Sequence, residues 1–140
     1  MPPAENEPAP RPVGHAQLDG QLDRPVLRFD LPAEIAHLHA QPAWREGHAP
    51  SSTTLVKHPD LRLVLVALRR GETLPPHRTA ARISVQVLSG RLRLRLPQAE
   101  TELGVGGLLV LEHELPHEVE ALQDSAFLLT LAWPGKEEEE

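Results

Sequence analysis

From Thr53 onward the chain keeps a two-residue rhythm, plainest in R-L-R-L-R-L at residues 91–96. Successive side chains of an extended strand point to opposite faces. Leu92, Leu94 and Leu96 therefore share one face, and Arg91, Arg93 and Arg95 the other. The same rhythm marks Thr53–His58, Leu61–Arg70, Arg82–Leu88, a short stretch through Leu103, Leu108–Leu111, His117–Leu122 and Ala126–Trp133. Turn signals separate these runs: Pro59-Asp60, Ser89-Gly90, Pro97 to Glu100, Gly104 to Gly107 and Asp124-Ser125. Many short strands with regular turns predict an all-β antiparallel sandwich or barrel.

Ahead of the strands the period changes. Asp30 is placed to cap a helix, Pro32 is tolerated in its first turn, and Leu31, Ile35 and Leu38 make an apolar stripe. Gln41-Pro42 is expected to end it. His37 and His39 lie two apart on this helix and point in different directions, so they are read as surface histidines rather than a ligand pair. The organisation expected is a disordered Pro-rich arm at 1–24, a helix and connecting segment packed on the barrel at 25–50, the β-barrel at 51–134, and an acidic tail at 135–140.

A chain of 140 residues fits one domain with a real core. With two Phe, two Trp and no Tyr, that core must be built from Leu, Val, Ile and Ala. A net charge of −6 and few aromatic rings argue against nucleic acid as a partner. The arginine row is read as a solvated strand face whose charges meet Glu100 and Glu102 across a hairpin. The absence of cysteine removes disulfides, thiolate nucleophiles and Cys-ligated metals. No apolar run is long enough to span a bilayer as a helix, and the N-terminus lacks the pattern of a signal peptide. The expectation is a cytoplasmic protein with no membrane partner.

Residues 113–117, H-E-L-P-H, spell the H-E-x-x-H of zinc metalloproteases. That motif works on a helix, where one turn brings both histidines to the same zinc. Pro116 lacks the N–H a helix interior needs, at a cost of about 3 kcal/mol, and it pushes Leu115 toward an extended conformation. The flanking residues alternate as strands do, so the protease reading is rejected.

Two segments resemble the paired motifs of the cupin superfamily. The first is G-E-T-L-P-P-H-R-T-A-A-R-I-S-V-Q-V-L-S-G, from Gly71 through His77 to Gly90. The second is G-G-L-L-V-L-E-H-E-L-P-H-E-V-E-A, from Gly106 through His117 to Ala121. The resemblance covers about Leu61 to Trp133 and implies an antiparallel jelly-roll β-barrel, preceded here by the short helix. Metal-binding members use two histidines and a glutamate from the first motif and a histidine from the second. Carried over by position, His77 and His117 are present, whereas Thr79 and Ile83 stand where the other histidine and the glutamate would be. Glu112, Glu114 and Ala121 replace the second motif's proline, glycine and asparagine.

The resemblance implies a degenerate metal site of His77 and His117, with His113 as a candidate substitute ligand. Glu112 and Glu114 also fall near the barrel mouth. Thr79, Ile83, Val85, Val87, Val119 and Ala121 are expected to line the pocket by strand parity. The function expected is a stand-alone cupin that binds a small organic ligand or a weakly held divalent ion such as Zn, Fe, Mn or Ni. One alternative is a metal-dependent enzyme, dioxygenase- or isomerase-like, using His77, His117 and a substitute. The other is a non-catalytic homodimer with Gln86 and Leu88 at its contact.

Overall fold

The computed structural model describes residues 25–47 and 50–134, so the N-terminal arm at 1–24 and the acidic tail at 135–140 lie outside the described residues. Among the described residues two helices, α1 (Leu31–His39) and α2 (Pro42–Glu46), precede nine strands. These are β1 (Ser51–Lys57), β2 (Leu61–Leu68), β3 (Thr73–His77), β4 (Arg82–Ser89), β5 (Leu92–Leu96), β6 (Ala99–Leu103), β7 (Leu108–Leu111), β8 (His117–Ala121) and β9 (Ser125–Ala132). One sheet has the order β1-β2-β9-β4-β7 and the other β3-β8-β5-β6. All strand pairs are antiparallel. The result is a jelly roll of two facing sheets, the all-β fold expected from the alternation.

The larger sheet is covered on both faces along β2, where residues of one face join the core between the sheets and those of the other pack under the helices, which explains that strand's nearly unbroken apolar run. Val66 and Leu68 join Val85, Val87, Leu92, Leu94, Val119 and Phe127 in a core between the sheets. The alternate residues Leu65 and Ala67 face the other way and pack with Leu38, Trp44 and Leu55 beneath the helices. A register shift between Thr54 and Val56 of β1 lets both Leu55 and Val56 join that outer cluster.

Asp30 caps α1 by accepting from the Ala33 N–H at 3.2 Å, as its position predicts. The buried face of α1 includes Glu34 as well as Leu38. Pro42 does more than end α1. It occupies the first turn of α2, where its missing N–H costs nothing, and α2 closes on Gly47 in the left-handed region. Trp44 anchors α2, its carbonyl accepting from the Arg69 guanidinium, which lies over the indole at 4.6 Å. His39 stacks on the same ring, with centroids 4.4 Å apart.

The arginine row pairs across both flanking strands. Arg93 meets Glu102 of β6 at 3.2 Å and Glu120 of β8 at 3.6 Å. Arg95 meets Glu100 at 3.2 Å, Glu118 at 3.6 Å and Glu120 at 2.7 Å. Hydrogen bonds from Arg93 and Arg91 hold the Glu102 carboxyl below the ordinary carboxylate range. A carboxylate with a lowered folded-state pKa stabilises the fold above its unfolded pKa, and that contribution fades as pH falls through the folded value. The denaturation midpoints of wild type and Glu102→Gln should therefore differ at neutral pH and converge in acid. A gap that stays constant down to about pH 3, below the usual carboxylate range, would contradict this. Salt should narrow the gap too, because these charges are exposed.

Candidate functional site

The site lies where β3, β8 and the loops around them meet. T-L-P-P-H gives no strand signal because proline cannot donate to a ladder. It forms β3 nonetheless, on the free edge of the smaller sheet, and the register shifts between Leu74 and His77 across the two prolines. That shift brings His77 into register with His117, the first residue of β8. The two histidines named from the sequence, forty residues apart, are thus backbone neighbours across a strand pair.

His117 is 4% exposed and belongs to the inward row of β8 with Val119 and Ala121. Its Nδ1 lies 2.9 Å from the Leu115 carbonyl. A carbonyl can only accept, so Nδ1 carries the proton, and in the neutral ring Nε2 is the basic end. A backbone carbonyl fixing one ring nitrogen is how ligating imidazoles are commonly oriented.

H-E-L-P-H is not helical. Residues 112–116 form a loop, and His117 opens a strand. Glu114 has φ 64, in the left-handed region that favours glycine, and its N–H donates to the Thr79 carbonyl at 2.7 Å. This bond ties the second-motif loop to the first. Thr79 Oγ1 in turn accepts from the Ala81 N–H at 3.3 Å. The position that resembles the family's turn glycine has kept the turn while losing the glycine. Glu114→Gly should relieve the strain and stabilise the fold by about 0.5–1 kcal/mol. A thermal midpoint a few degrees higher is expected, and an unchanged or lower one would show that the Glu114 side chain compensates.

His113 is exposed, and exposed Glu112 pairs with Arg82 at 3.0 Å. Among the described residues no group of three His, Cys, Asp or Glu side chains is gathered as a metal centre would need. Of the expected pocket residues, Thr79 is half-buried in the loop tied to Glu114. Ile83, Val85, Val87, Val119 and Ala121 all turn inward and are at most 3% exposed. They pack together with Phe127, Leu92 and Leu94. Ile83 has no donor atom, and at the glutamate position it places a branched alkyl group in that core. The donor set therefore does not fit a centre of three or four protein ligands of the family pattern.

This architecture defines a small antiparallel jelly roll with a buried histidine where two motif loops join. No protein-family model matches the sequence, and no curated protein matches it. Solved structures do. A cupin 2 conserved barrel domain protein from Leptotrichia buccalis matches with TM-score 0.61 and 28% identity, over 71% of this chain and 45% of that one. A conserved protein of unknown function from Streptococcus pyogenes matches with TM-score 0.59 and 26% identity, over 61% and 75%. A mutant of salicylate 1,2-dioxygenase from Pseudoaminobacter salicylatoxidans matches with TM-score 0.66, over 74% and 34%, but at 17% identity the likeness is one of fold. The chain folds as a cupin.

Proposed function

We propose that this cupin binds a small organic ligand, or a weakly held divalent ion such as Zn, Fe, Mn or Ni, at the His77–His117 end of the jelly roll. The supporting observation is the cross-strand register of the two histidines, together with the His117 tautomer set by the Leu115 carbonyl. A bound ion would act there as a Lewis acid on a carbonyl or carboxylate of the ligand. The chain's own residues do the rest. His117 presents Nε2, the Glu114–Thr79 bond holds the two loops together, and the apolar core carried by Ile83, Val119 and Ala121 keeps water from the histidine's inner side. With two imidazoles in place of four protein ligands, binding is favoured over the demanding redox chemistry of a dioxygenase- or isomerase-like enzyme.

Among the described residues no helix is long and apolar enough to cross a membrane. Titration of the full chain with Ni²⁺, followed by NMR of the histidine rings, tests the site. The His77 and His117 signals should broaden first. Equal broadening of His37, His39, His58 and His113 would contradict a common site.

A second reading, a homodimer, is favoured by one surface. Strand β7 is the free edge of the larger sheet, with Leu108 59% and Val110 63% exposed. Leu108 is in register with exposed Gln86. Leu88 packs at the margin of the outer cluster, so Gln86, Leu108 and Val110 form the contact in this reading. Sedimentation of wild type against Val110→Lys distinguishes a dimer from a monomer.

A further inference from the structure

A sheet edge presents a row of open backbone groups, and proteins guard such edges with charge, proline or a bulge. Three of the four edges here are guarded. Strand β1 carries a register shift and Lys57. Strand β3 carries Pro75 and Pro76, and β6 carries Glu100 and Glu102, which pair with the arginine row. Strand β7, L-L-V-L, has none of these along its length. Of the four exposed large apolar side chains among the described residues, three lie on β7 or in the turn before it: Val105 at 70%, Leu108 at 59% and Val110 at 63%.

The pairing of β7 decides which of its backbone groups are open. Val87 donates to the Gly107 carbonyl at 3.0 Å and accepts from the Gly106 N–H at 2.9 Å. With Gly106 at φ 86, this is a glycine bulge that sets the phase of the β4–β7 ladder. Bonded and non-bonded pairs alternate from there. Val85 with Leu109 and Ile83 with Leu111 are the bonded pairs; Gln86 with Leu108 and Ser84 with Val110 are the others. The N–H and C=O of Leu108 and Val110 therefore point away from β4, to an edge that no described strand covers. Their side chains lie on the outer face, whereas Leu109 and Leu111 turn to the core between the sheets.

We propose that β7 of one copy pairs antiparallel with β7 of a second copy, about a two-fold axis at Leu109. This rests on the homodimer reading and adds how the copies meet: backbone to backbone, so that two five-stranded sheets become one. In this register Leu108 of each copy stands opposite Val110 of the other, and each pair exchanges both its hydrogen bonds. The exposed side chains then share one apolar patch, and no like charges meet, because β7 carries none. The edge is thus complementary to itself, and a second copy is present wherever the chain is. Continued past β7, the pairing brings the partner's Val105 turn toward the loop of residues 112–116, which leads into His117. So short an edge buries less than the roughly 1,000 Å² of a stable interface, which makes the dimer weak and concentration-dependent.

Amide hydrogen exchange in the full chain, read by NMR beside sedimentation, tests the pairing. The Leu108 and Val110 amides should slow as the dimer fraction rises, about fivefold once roughly four-fifths of the chains are paired. The Leu109 and Leu111 amides, bonded to β4, should be slow throughout. In Val110→Lys the chain should sediment as a monomer, with Leu109 and Leu111 still slow, which shows the fold intact, and Leu108 fast. A dimer whose Leu108 and Val110 amides exchange as fast as in the monomer would overturn edge pairing and leave the homodimer reading in place. A wild type still monomeric at about 1 mM would overturn both. Slow exchange of these two amides in a monomer would show the edge already covered within one chain, and would overturn the proposal alone.

Discussion

Gly90→Ala should lower stability by about 3 kcal/mol or more, by far the largest effect among the motif glycines. Gly90 sits at φ +82, which already disfavours a side chain. An added Cβ would fall on Ser125 Oγ and the Asp124 carbonyl, and 2.7 Å from Ser125 Cα. Two of those three atoms are backbone, so no rotamer change can relieve the clash. Ser125 is pinned as well, its hydroxyl 2.9 Å from the Arg91 N–H and 3.1 Å from the Arg91 carbonyl. Gly71 and Gly106 have φ +88 and +86 but would meet nothing within 4 Å. Alanine there should cost only the conformational term, about 1–2 kcal/mol. With about 4–8 °C lost per kcal/mol in a domain of this size, the thermal midpoint of Gly90→Ala should fall by more than about 10 °C. Equal losses at all three glycines would contradict this account of the turn.

Phe127→Ala is expected to cost about 3–5 kcal/mol. Strand β9 joins the two halves of the larger sheet, pairing β2 on one side and β4 on the other. Phe127 stands at its centre, in register with Val66 and Val87, fully buried in the core between the sheets. The chain has only two Phe, so no second ring of that kind is available to fill the space. Leu128, its neighbour on the opposite face, is half-buried at the margin of the outer cluster. Leu128→Ala should cost clearly less. Urea unfolding decides it through the midpoints, provided the slopes are unchanged. Similar midpoints for both variants would mean that the core between the sheets does not dominate stability.

Most of the fold was legible because alternation is a local signal. Eight of the nine described strands fall where the rhythm places them, within a residue or two. The period failed at proline. T-L-P-P-H is a strand only because it lies on a sheet edge, a fact of tertiary position. Pro42 read as a stop, yet it also begins α2. Glu100 and Glu102 were identifiable as partners of the arginine row because the hairpin is local. Glu118 and Glu120 were not, since β8 reaches β5 from twenty-odd residues downstream. At the site, spacing within the two motifs picked out His77 and His117, and the register pairs them. Glu114 was visible as a residue at a glycine position, and its positive φ gives that substitution a physical cost.

The central claim is that His77 and His117 form one binding end. Metal content of the purified protein, before and after loading with Zn, Fe, Mn or Ni, tests it most directly against the His77→Ala/His117→Ala double variant. The account predicts weak, near-stoichiometric loading of the wild type for at least one of these ions, and its loss in the folded double variant. Identical loading of the two proteins would contradict it.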